Sequence, residues 1–340
     1  MFDDTRLSDP DALRSFDDDL RAVASWGASV RLAAAAARPR LARMADDAGT
    51  RPRAVLAAGP DGRLLRTVLE PGCPVPFVAW PHAGLPGWAG PLDLVVVLSV
   101  TGEGSPAEEA TVREAVRRGC ELLLACPQDS ALHRAAAGRG LLLPAGSQDA
   151  LALSVPVLSA LHALGLGPEV EAEPVAAALD LVAARCGPDS PVDRNPAKEL
   201  ALAVADRLPV VWGGSPLAAR AARRIAEGLR AATGLPAVAG GVDQLVPLMV
   251  AAPERDVFAD PFDDAAEPPA TAQPVLVVLD EEALSEADAA ARAELERAAD
   301  ARGVRVHRVT VDDGPDVARF ASLLATGRFA AIYLALGQAS

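Results

Sequence analysis

A short segment rich in hydroxyl groups and glycine follows a run of five apolar residues, Leu94–Leu98. Its hydroxyl-bearing and small residues are Ser99, Thr101, Gly102, Gly104 and Ser105. Pro106 comes next, and proline is common at the first position of a helix. The pattern predicts a buried strand, a loop and a helix N-terminus, where hydroxyls and free N–H groups favour an anion. A phosphate is the predicted ligand; the alternative is that Ser105 serves only as the helix N-cap.

Two further turns rich in glycine follow apolar runs, namely Gly59-Pro60-Asp61-Gly62 and Gly213-Gly214-Ser215. Neither matches the GxxxxGK[ST] loop that binds nucleoside triphosphates, and the single lysine, Lys198, lies elsewhere. No GxGxxG follows the first predicted strand, so a dinucleotide site is not predicted. The turns fit a smaller phosphate held by hydroxyl groups, and no cofactor is expected. Gly213, Gly214 and Ser215 therefore join the candidate binding residues.

Residues that could ligate a metal or act as a general base are scattered. The histidines and cysteines show no metal-site spacing and no CxxC pair: His82, His133, His162, His307, Cys73, Cys120, Cys126 and Cys186. The cysteines are expected to be small buried residues, and no metal is predicted. Three arginines, Arg220, Arg223 and Arg224, share a predicted helix; they could meet a ligand or a subunit, or lie on a solvated face.

The elements that must position these residues alternate between strand and helix. Strands are predicted at Ala54–Ala58, Pro76–Trp80, Leu94–Leu98, Glu121–Cys126, Leu141–Leu143, Pro209–Trp212, Pro236–Ala239, Val275–Leu279 and Val304–Val309. Because helices separate them, the connections are crossovers, which predicts an α/β fold with parallel sheets covered by helices on both faces. Two separate helices, Asp316–Ala325 and Arg328–Leu336, are predicted to close the chain.

Changes in composition suggest the domain boundaries. N-terminal helices are predicted over residues 1–50, a first domain over 51–166, a helical linker over 167–195 and a second domain over 196–340. The boundary between residues 195 and 196 lies in the Pro- and Asp-rich stretch GPDSPVDRNP. Residues 253–274 are acidic and rich in proline, which predicts a long surface loop or a lid.

Length and charge limit the possible partners. At 340 residues the chain is long enough for two domains, and its formal net charge of −14 argues against nucleic acid or an anionic membrane surface. The N-terminus lacks the basic and apolar regions of a signal peptide, and no uninterrupted apolar run is long enough to span a membrane. A cytoplasmic location is therefore expected.

The order of the segments resembles that of a known family. Residues 96–125 (VVLSVTGEGSPAEEATVREAVRRGCELLLA) resemble the strand, Ser-x-Ser/Thr-Gly loop and helix of SIS (sugar isomerase) domains. Residues 195–237, which begin NPAKELALAV, resemble the opening of the second SIS domain of bifunctional phosphoglucose/phosphomannose isomerases, and 320–336 (FASLLATGRFAAIYLAL) resemble a segment near the C-terminus of that family. The resemblance implies two flavodoxin-like SIS domains, a homodimer, and a sugar phosphate bound between domains and subunits.

The resemblance also implies roles for single residues. Ser99, Thr101 and Gly102 fall where the family binds phosphate, and Ser105 could share in this. The first loop departs from the family, because Pro60 has no N–H to donate and Asp61 adds negative charge. Gln148-Asp149-Ala150 stand where the family has Gln-Pro-Arg, so that arginine is absent.

Isomerisation of a sugar phosphate needs a carboxylate base at C1 and C2, usually with a His or Lys that opens the ring and stabilises the enediolate. Where the family has its glutamate, residues 239–246 (AGGVDQLV) offer Asp243 and Gln244, so Asp243 is the candidate catalytic residue. No histidine occurs between His162 and His307, and the family's C-terminal lysine has no counterpart in this sequence.

These departures predict a protein that binds a hexose 6-phosphate, with weak or lost isomerase activity, as a sensor or as a partner of another sugar enzyme. The alternative is an active isomerase of glucose, mannose and fructose 6-phosphates whose base is Asp243 or an acid of residues 253–274. A third interpretation is a structural dimer without a ligand.

Overall fold

A computed structural model of the protein describes residues 2–46, 51–59, 62–99, 104–144, 149–253, 273–280 and 284–339. Within these ranges the strands are β1 (Val55–Ala58), β2 (Phe77–Trp80), β3 (Leu94–Leu98), β4 (Glu121–Cys126), β5 (Leu141–Pro144), β6 (Leu208–Gly213), β7 (Val238–Ala239), β8 (Pro274–Asp280) and β9 (Arg305–Thr310). The helices are α1 (Pro10–Ser15), α2 (Asp17–Ala24), α3 (Trp26–Asp46), α4 (Gly62–Leu69), α5 (Pro106–Arg118), α6 (Ala131–Ala135), α7 (Ala150–Ala163), α8 (Ala172–Cys186), α9 (Pro196–Val204), α10 (Pro216–Thr233), α11 (Val242–Val250), α12 (Glu286–Asp300) and α13 (Asp316–Gln338).

The chain divides into two compact units. One comprises Trp26–Ala177, and the other comprises Met1–Ser25 together with Ala178–Ser340. The helices predicted over residues 1–50 are thus divided between the units. The short 3-10 helix Asp4–Ser8 and α2 pack against α13, whereas α3 packs against α7 and β5.

The unit of residues 26–177 contains five parallel strands in the order β2-β1-β3-β4-β5. This is the strand order of flavodoxin-like folds. The central strand β3 is buried at all five positions, which is why its sequence is an unbroken apolar run, LVVVL. The α/β fold with parallel sheets that the alternating elements predicted is confirmed in this unit.

The second unit repeats the arrangement with four parallel strands in the order β7-β6-β8-β9. One of its apolar cores packs Val210 and Trp212 of β6 against Leu245 and Met249 of α11 and Leu276 of β8. The strand order matches the first four strands of the other sheet. The two units are therefore built on the same plan.

Residues 316–338 form a single helix, α13, and the prediction of two closing helices was wrong. Gly327 suggests a break in the sequence, but its role is packing: a β-carbon there would lie 2.3 Å from Cγ1 of Ile225 on α10. The glycine lets the two helices approach closely while α13 continues. By length and composition α13 could also span a membrane, but 83% of its most apolar window is buried inside the structure, as in a core helix.

Candidate functional site

Each sheet has one pair of neighbouring strands at which the strand order reverses. The pair is β1 and β3 in the first sheet, and β6 and β8 in the second. Parallel α/β sheets bind their ligands beside the carboxyl ends of such a pair, at the switch point. The first residues of the three turns singled out in the sequence, Gly59, Ser99 and Gly213, lie at the ends of these strands, whereas residues 60, 61 and 100–103 lie outside the described residues. The topology thus brings the predicted loops to the edges where a ligand is expected.

Ser99 follows β3 directly and is buried, with 4% of its surface exposed. Its backbone N–H donates to the carbonyl oxygen of Ala125 at 2.9 Å, which continues the pairing of β3 with β4. Thr101 and Gly102 lie outside the described residues. The role of Ser99, Thr101 and Gly102 in binding phosphate stays a prediction.

Ser105 is the N-cap of α5. Its hydroxyl accepts from the backbone N–H of Glu108 at 3.2 Å, and its own N–H donates to Glu108 Oε2 at 2.7 Å. This reciprocal capping box satisfies two N–H groups that the helix leaves without partners. The capping role is thus established, and a share of Ser105 in phosphate binding stays a prediction.

Glu108 brings a carboxylate into the first switch-point crevice. It is only 8% exposed, and its Oε1 lies 2.9 Å from the place that a β-carbon on Gly59 would occupy. Gly59 has a φ of +86°, which favours glycine. A negative charge therefore lies next to the Gly59 turn, the turn whose sequence already departs from the family at Pro60 and Asp61.

The second switch point has the same parts. Gly213 ends β6, and a β-carbon there would lie 2.4 Å from the backbone carbon of Ala218, so only glycine allows this approach. Ser215 caps α10 by accepting from the N–H of Ala218 at 3.1 Å. Gly214 is close to α12, since a β-carbon on it would lie 3.0 Å from Cβ of Asp288. Whether Gly213, Gly214 and Ser215 bind a ligand stays a prediction.

An acid at the third position of a helix recurs in the two crevices. Ser285 caps α12 as Ser105 caps α5, and Asp288 stands three residues later, as Glu108 does. The hydroxyl of Ser285 donates to Asp288 Oδ2 at 2.6 Å. Glu108 was expected in the first turn of its helix, whereas Asp288 was not among the predicted residues, although its Ser-x-x-Asp spacing resembles the Ser-x-x-Glu capping signal.

Asp243, the candidate catalytic residue, lies in the first turn of α11 and is exposed. This helix follows β7, the edge strand, so Asp243 is one strand away from the β6–β8 switch point. Its position at the carboxyl edge of the sheet agrees with a site there.

Lys198 is almost completely buried, at 1% exposure, and serves the structure of its unit. Its ammonium donates to the carbonyl oxygens of Pro188 at 2.9 Å and Ser190 at 3.0 Å, and lies 5.3 Å from the centre of the Tyr333 ring. Burial lowers the pKa of Lys198. The hydroxyl of Tyr333 donates to the carbonyl oxygen of Cys186 at 2.8 Å. These contacts hold the loop between α8 and α9.

The four histidines make different contacts and do not form a cluster among the described residues. His82 makes an edge contact with Trp80, His133 and His162 contact backbone carbonyls of Gln128 and Gly167, and burial lowers the pKa of His307. Burial likewise raises the pKa of Cys186 to about 11. Among the described residues, no three His, Cys, Asp or Glu side chains gather as a metal site would need.

Tryptophans border the two crevices. Trp80 ends β2, and its carbonyl oxygen accepts from the N–H of Gly59 at 3.2 Å. Its buried indole N–H has no acceptor among the described residues. Trp212 lies 3.2 Å from the place of a β-carbon on Gly214. A ligand in either crevice would therefore change the surroundings of a tryptophan.

The helix that carries the arginines predicted as ligand or subunit contacts is α10. Arg224 pairs with Glu227 of the same helix at 3.2 Å. Arg220 and Arg223 are half-buried and exposed respectively on α10, and a role for them in binding stays a prediction. At the end of β8, Arg292 of α12 pairs with Asp280 at 2.6 Å, which neutralises an acid close to the second switch point.

The sequence of the second unit is similar to that of a known domain family. Residues 193–339 match the family model of the bacterial phospho-glucose isomerase C-terminal SIS domain. A search of curated proteins by sequence gives no match.

Solved structures share the fold over nearly the whole chain. Tagatose-6-phosphate ketose/aldose isomerase from Escherichia coli has a TM-score of 0.67 at 16% identity, over 94% of this chain and 93% of that one. The C-terminal domain of glucosamine-fructose-6-phosphate aminotransferase from Francisella tularensis has a TM-score of 0.66 at 11% identity, over 94% and 96%. Glucosamine-6-phosphate deaminase from Thermotoga maritima has a TM-score of 0.56 at 12% identity, over 94% of each chain.

The chain is thus an α/β protein with two parallel sheets and serine-capped helices at their switch points, and it shares its fold with these solved structures. Residues 193–339 are thus similar in sequence to a SIS domain, in agreement with the resemblance noted in the sequence.

Proposed function

We propose that this chain binds a hexose 6-phosphate, is related to the phosphoglucose/phosphomannose isomerases, and has weak or lost isomerase activity. The observation that carries the proposal is the match of residues 193–339 to the C-terminal SIS domain of bacterial phospho-glucose isomerase. Solved structures with the same fold are named as enzymes of 6-phosphate sugars, which supports the ligand class.

The geometry of the switch points supports binding. Helices α5 and α10 begin at the edges where the strand order reverses, and a helix N-terminus favours an anion. Ser99 supplies a hydroxyl at the first switch point and Ser215 at the second. The buried indole N–H of Trp80, without an acceptor among the described residues, is a further donor for a ligand at this edge.

The weak or lost activity is inferred from the residues that would move the proton. Asp243 is exposed, and its side chain is one methylene shorter than that of a glutamate. A base displaced by about 1 Å can cost on the order of a hundredfold in rate. Lys198 cannot stabilise an enediolate, because two backbone carbonyls hold its ammonium inside the unit.

Calorimetry with glucose, mannose and fructose 6-phosphates tests the proposal, with glucose and inorganic phosphate as controls for the two halves of the ligand. We expect saturable binding of at least one sugar phosphate, and interconversion far below the roughly 1–10³ per second that is typical of enzymes. Turnover in that range would support an active isomerase instead. Absence of binding would support a structural dimer.

The variant Ser99→Ala with Thr101→Ala is expected to abolish binding while the protein stays folded. Ser130→Ala is the matched control, because Ser130 caps α6 after β4, away from the switch point. Tryptophan fluorescence with Trp80→Phe and Trp212→Phe then assigns the bound sugar to one crevice. Unchanged affinity of the double variant would remove the Ser99 loop from the site.

The proposal includes a cytoplasmic homodimer. Sedimentation velocity at several protein concentrations tests the dimer, and a monomer at all of them would contradict it.

A further inference from the structure

A cavity of about 490 Å³ lies in the unit of residues 26–177. The cavity is lined by the first residues of β3, β4 and β5, namely Leu94, Glu121 and Leu141. It therefore lies at the amino ends of these strands. Ser99, the first residue of the predicted phosphate loop, lies at the carboxyl end of β3, at the opposite end of the same strands. The proposed sugar phosphate site therefore leaves this cavity without a role.

The inner wall of the cavity is apolar. It is formed by aliphatic side chains of three strands and of the segments around α3 and α7: Met44, Leu92, Leu94, Leu122, Leu141 and Leu164. Leu94 and Leu122 are buried in the sheet, whereas Leu92 is 68% exposed. A ligand that covered Leu92 would remove apolar surface from water, which favours binding of a hydrocarbon chain.

Three arginines line the same cavity, in a chain whose formal net charge is −14. Arg40 and Arg43 are three residues apart on α3, so they lie on neighbouring positions of one helix face. Arg51 comes from the segment before β1, and its Nη2 lies 3.8 Å from the place of a β-carbon on Gly165. Among the described residues that line the cavity, Glu121 is the one acid, so the summed formal charge of these residues is positive. Guanidinium groups bind carboxylate and phosphate oxygens in pairs of hydrogen bonds.

We propose that this cavity binds a small amphipathic anion, with an aliphatic body against the leucines and a carboxylate or phosphate head at Arg40 and Arg43. The volume is in the range of small-molecule sites, about 300–1,000 Å³. The combination of an apolar wall and arginines distinguishes this ligand from a sugar phosphate, whose body is polar.

Calorimetry with octanoate and with octyl phosphate tests the site, and the pair distinguishes the two head groups. Octanol lacks the charge and acetate lacks the chain, so both serve as controls. We expect one of the two anions to bind with a Kd of about 1 mM or below, and both controls to bind weaker by about tenfold or more. Octanol binding as tightly as the anions, or no saturable binding of either anion, overturns the proposal.

Variants then place the ligand in the cavity. Arg40→Ala with Arg43→Ala should weaken binding about tenfold or more. Arg38→Ala is the matched control, because Arg38 is exposed on the same helix and does not line the cavity. Leu92→Asp puts a negative charge on a side chain that is 68% exposed, and should also weaken binding. Equal affinities of wild type and both cavity variants overturn the proposal.

Two further measurements distinguish this cavity from the sugar phosphate site and from a contact between two copies of the chain. Glucose 6-phosphate binding should be unchanged in the cavity variants, so failure of one site leaves the other intact. Sedimentation of wild type and Leu92→Asp tests whether a second copy of the chain covers the cavity instead. A dimer that dissociates in Leu92→Asp, together with absent octanoate binding, overturns the proposal.

Discussion

Glu108 is the residue whose charge most directly affects the first switch point. Its buried carboxylate caps α5 and lies beside Gly59, in the crevice where a phosphate is expected. A phosphate dianion bound there would be repelled by this charge. The same holds at the second switch point for Asp288, which lies beside Gly214.

Glu108→Gln should therefore strengthen the binding of glucose 6-phosphate. Gln retains the capping hydrogen bond to Ser105, so the variant removes mainly the charge. We expect a gain of about 1 kcal/mol, roughly fivefold in Kd, measured by calorimetry. Glu109→Gln is the matched control, because the neighbouring Glu109 pairs with Arg113 on the helix surface. A Kd that is equal in the two variants would show that the phosphate binds away from this crevice.

Lys198 is a buried cation whose loss should cost stability in the second unit. Lys198→Met keeps the length of the side chain but leaves the carbonyls of Pro188 and Ser190 without their donor. We expect the free energy of unfolding to fall by about 2–3 kcal/mol in urea titrations. Arg194→Met, at an exposed position of the same loop, should change it by less than about 0.5 kcal/mol.

The pH dependence of the same pair gives a second check. Burial lowers the pKa of folded Lys198 below its ordinary value of 10.5, although the nearby Asp189 opposes this. The unfolded chain then binds more protons than the folded protein over the pH range just below 10.5, so Lys198 makes stability rise with pH there. Lys198→Met should lack this rise. An identical alkaline stability curve for the two proteins would contradict the shift.

At the scale of the elements, α10 and α13 pack so closely that one glycine decides their distance. Gly327→Ala should destabilise the protein by about 1–3 kcal/mol, because the added carbon would clash with Ile225. Gly228→Ala in α10 is the matched control, since its added carbon would lie 4.0 Å from Cβ of Ala331, an ordinary contact. There the helix propensity of alanine should stabilise the protein by up to about 1 kcal/mol. Thermal unfolding that shifts in the same direction for both variants would contradict this packing.

Strong local signals mark the beginning and the end of several elements. Helices α5 and α10 have a serine N-cap, a proline at the first position and a left-handed glycine at the end, Gly119 or Gly234. Strand β3 was equally clear, because a strand buried on both faces is an unbroken apolar run.

The elements that depend on distant partners could not be predicted in this way. Gly327 gives the local signal of a break, and only its contact with Ile225, on another helix, explains its place inside α13. Phe2 lies against Gly337 at the other end of the chain, a contact with no local signal. The cavity arginines likewise come from α3 and from the segment before β1, which the sequence does not show to be neighbours.

The candidate site was predictable in part for the same reason. Strand-ending turns mark the carboxyl edge of a parallel sheet, so Ser99 and Ser215 could be placed at that edge from the sequence. The strand order, which decides that these turns lie at switch points, is a property of the whole sheet.

At the scale of the whole molecule, the formal net charge of −14 opposes any dianion that approaches. Salt screens this repulsion, because the Debye length falls from about 30 Å at 0.01 M to about 8 Å at 0.15 M. The affinity for glucose 6-phosphate should therefore rise about two- to threefold when NaCl is raised over this range. Octanoate at the arginine-lined cavity should show the opposite dependence, since salt there screens an attraction.

The two salt titrations are done on one preparation at one pH, so that the salt dependence of both affinities is measured on the same protein. A sugar phosphate whose affinity falls with salt as octanoate's does would mean that nearby cations, rather than hydroxyls and helix N-termini, hold its phosphate. Arg220, Arg223 and Arg292 would then be the first residues to replace by alanine, because they lie on the helices that border the second switch point. Opposite salt dependences of the two affinities would show that the two ligands bind at sites of different electrostatic character.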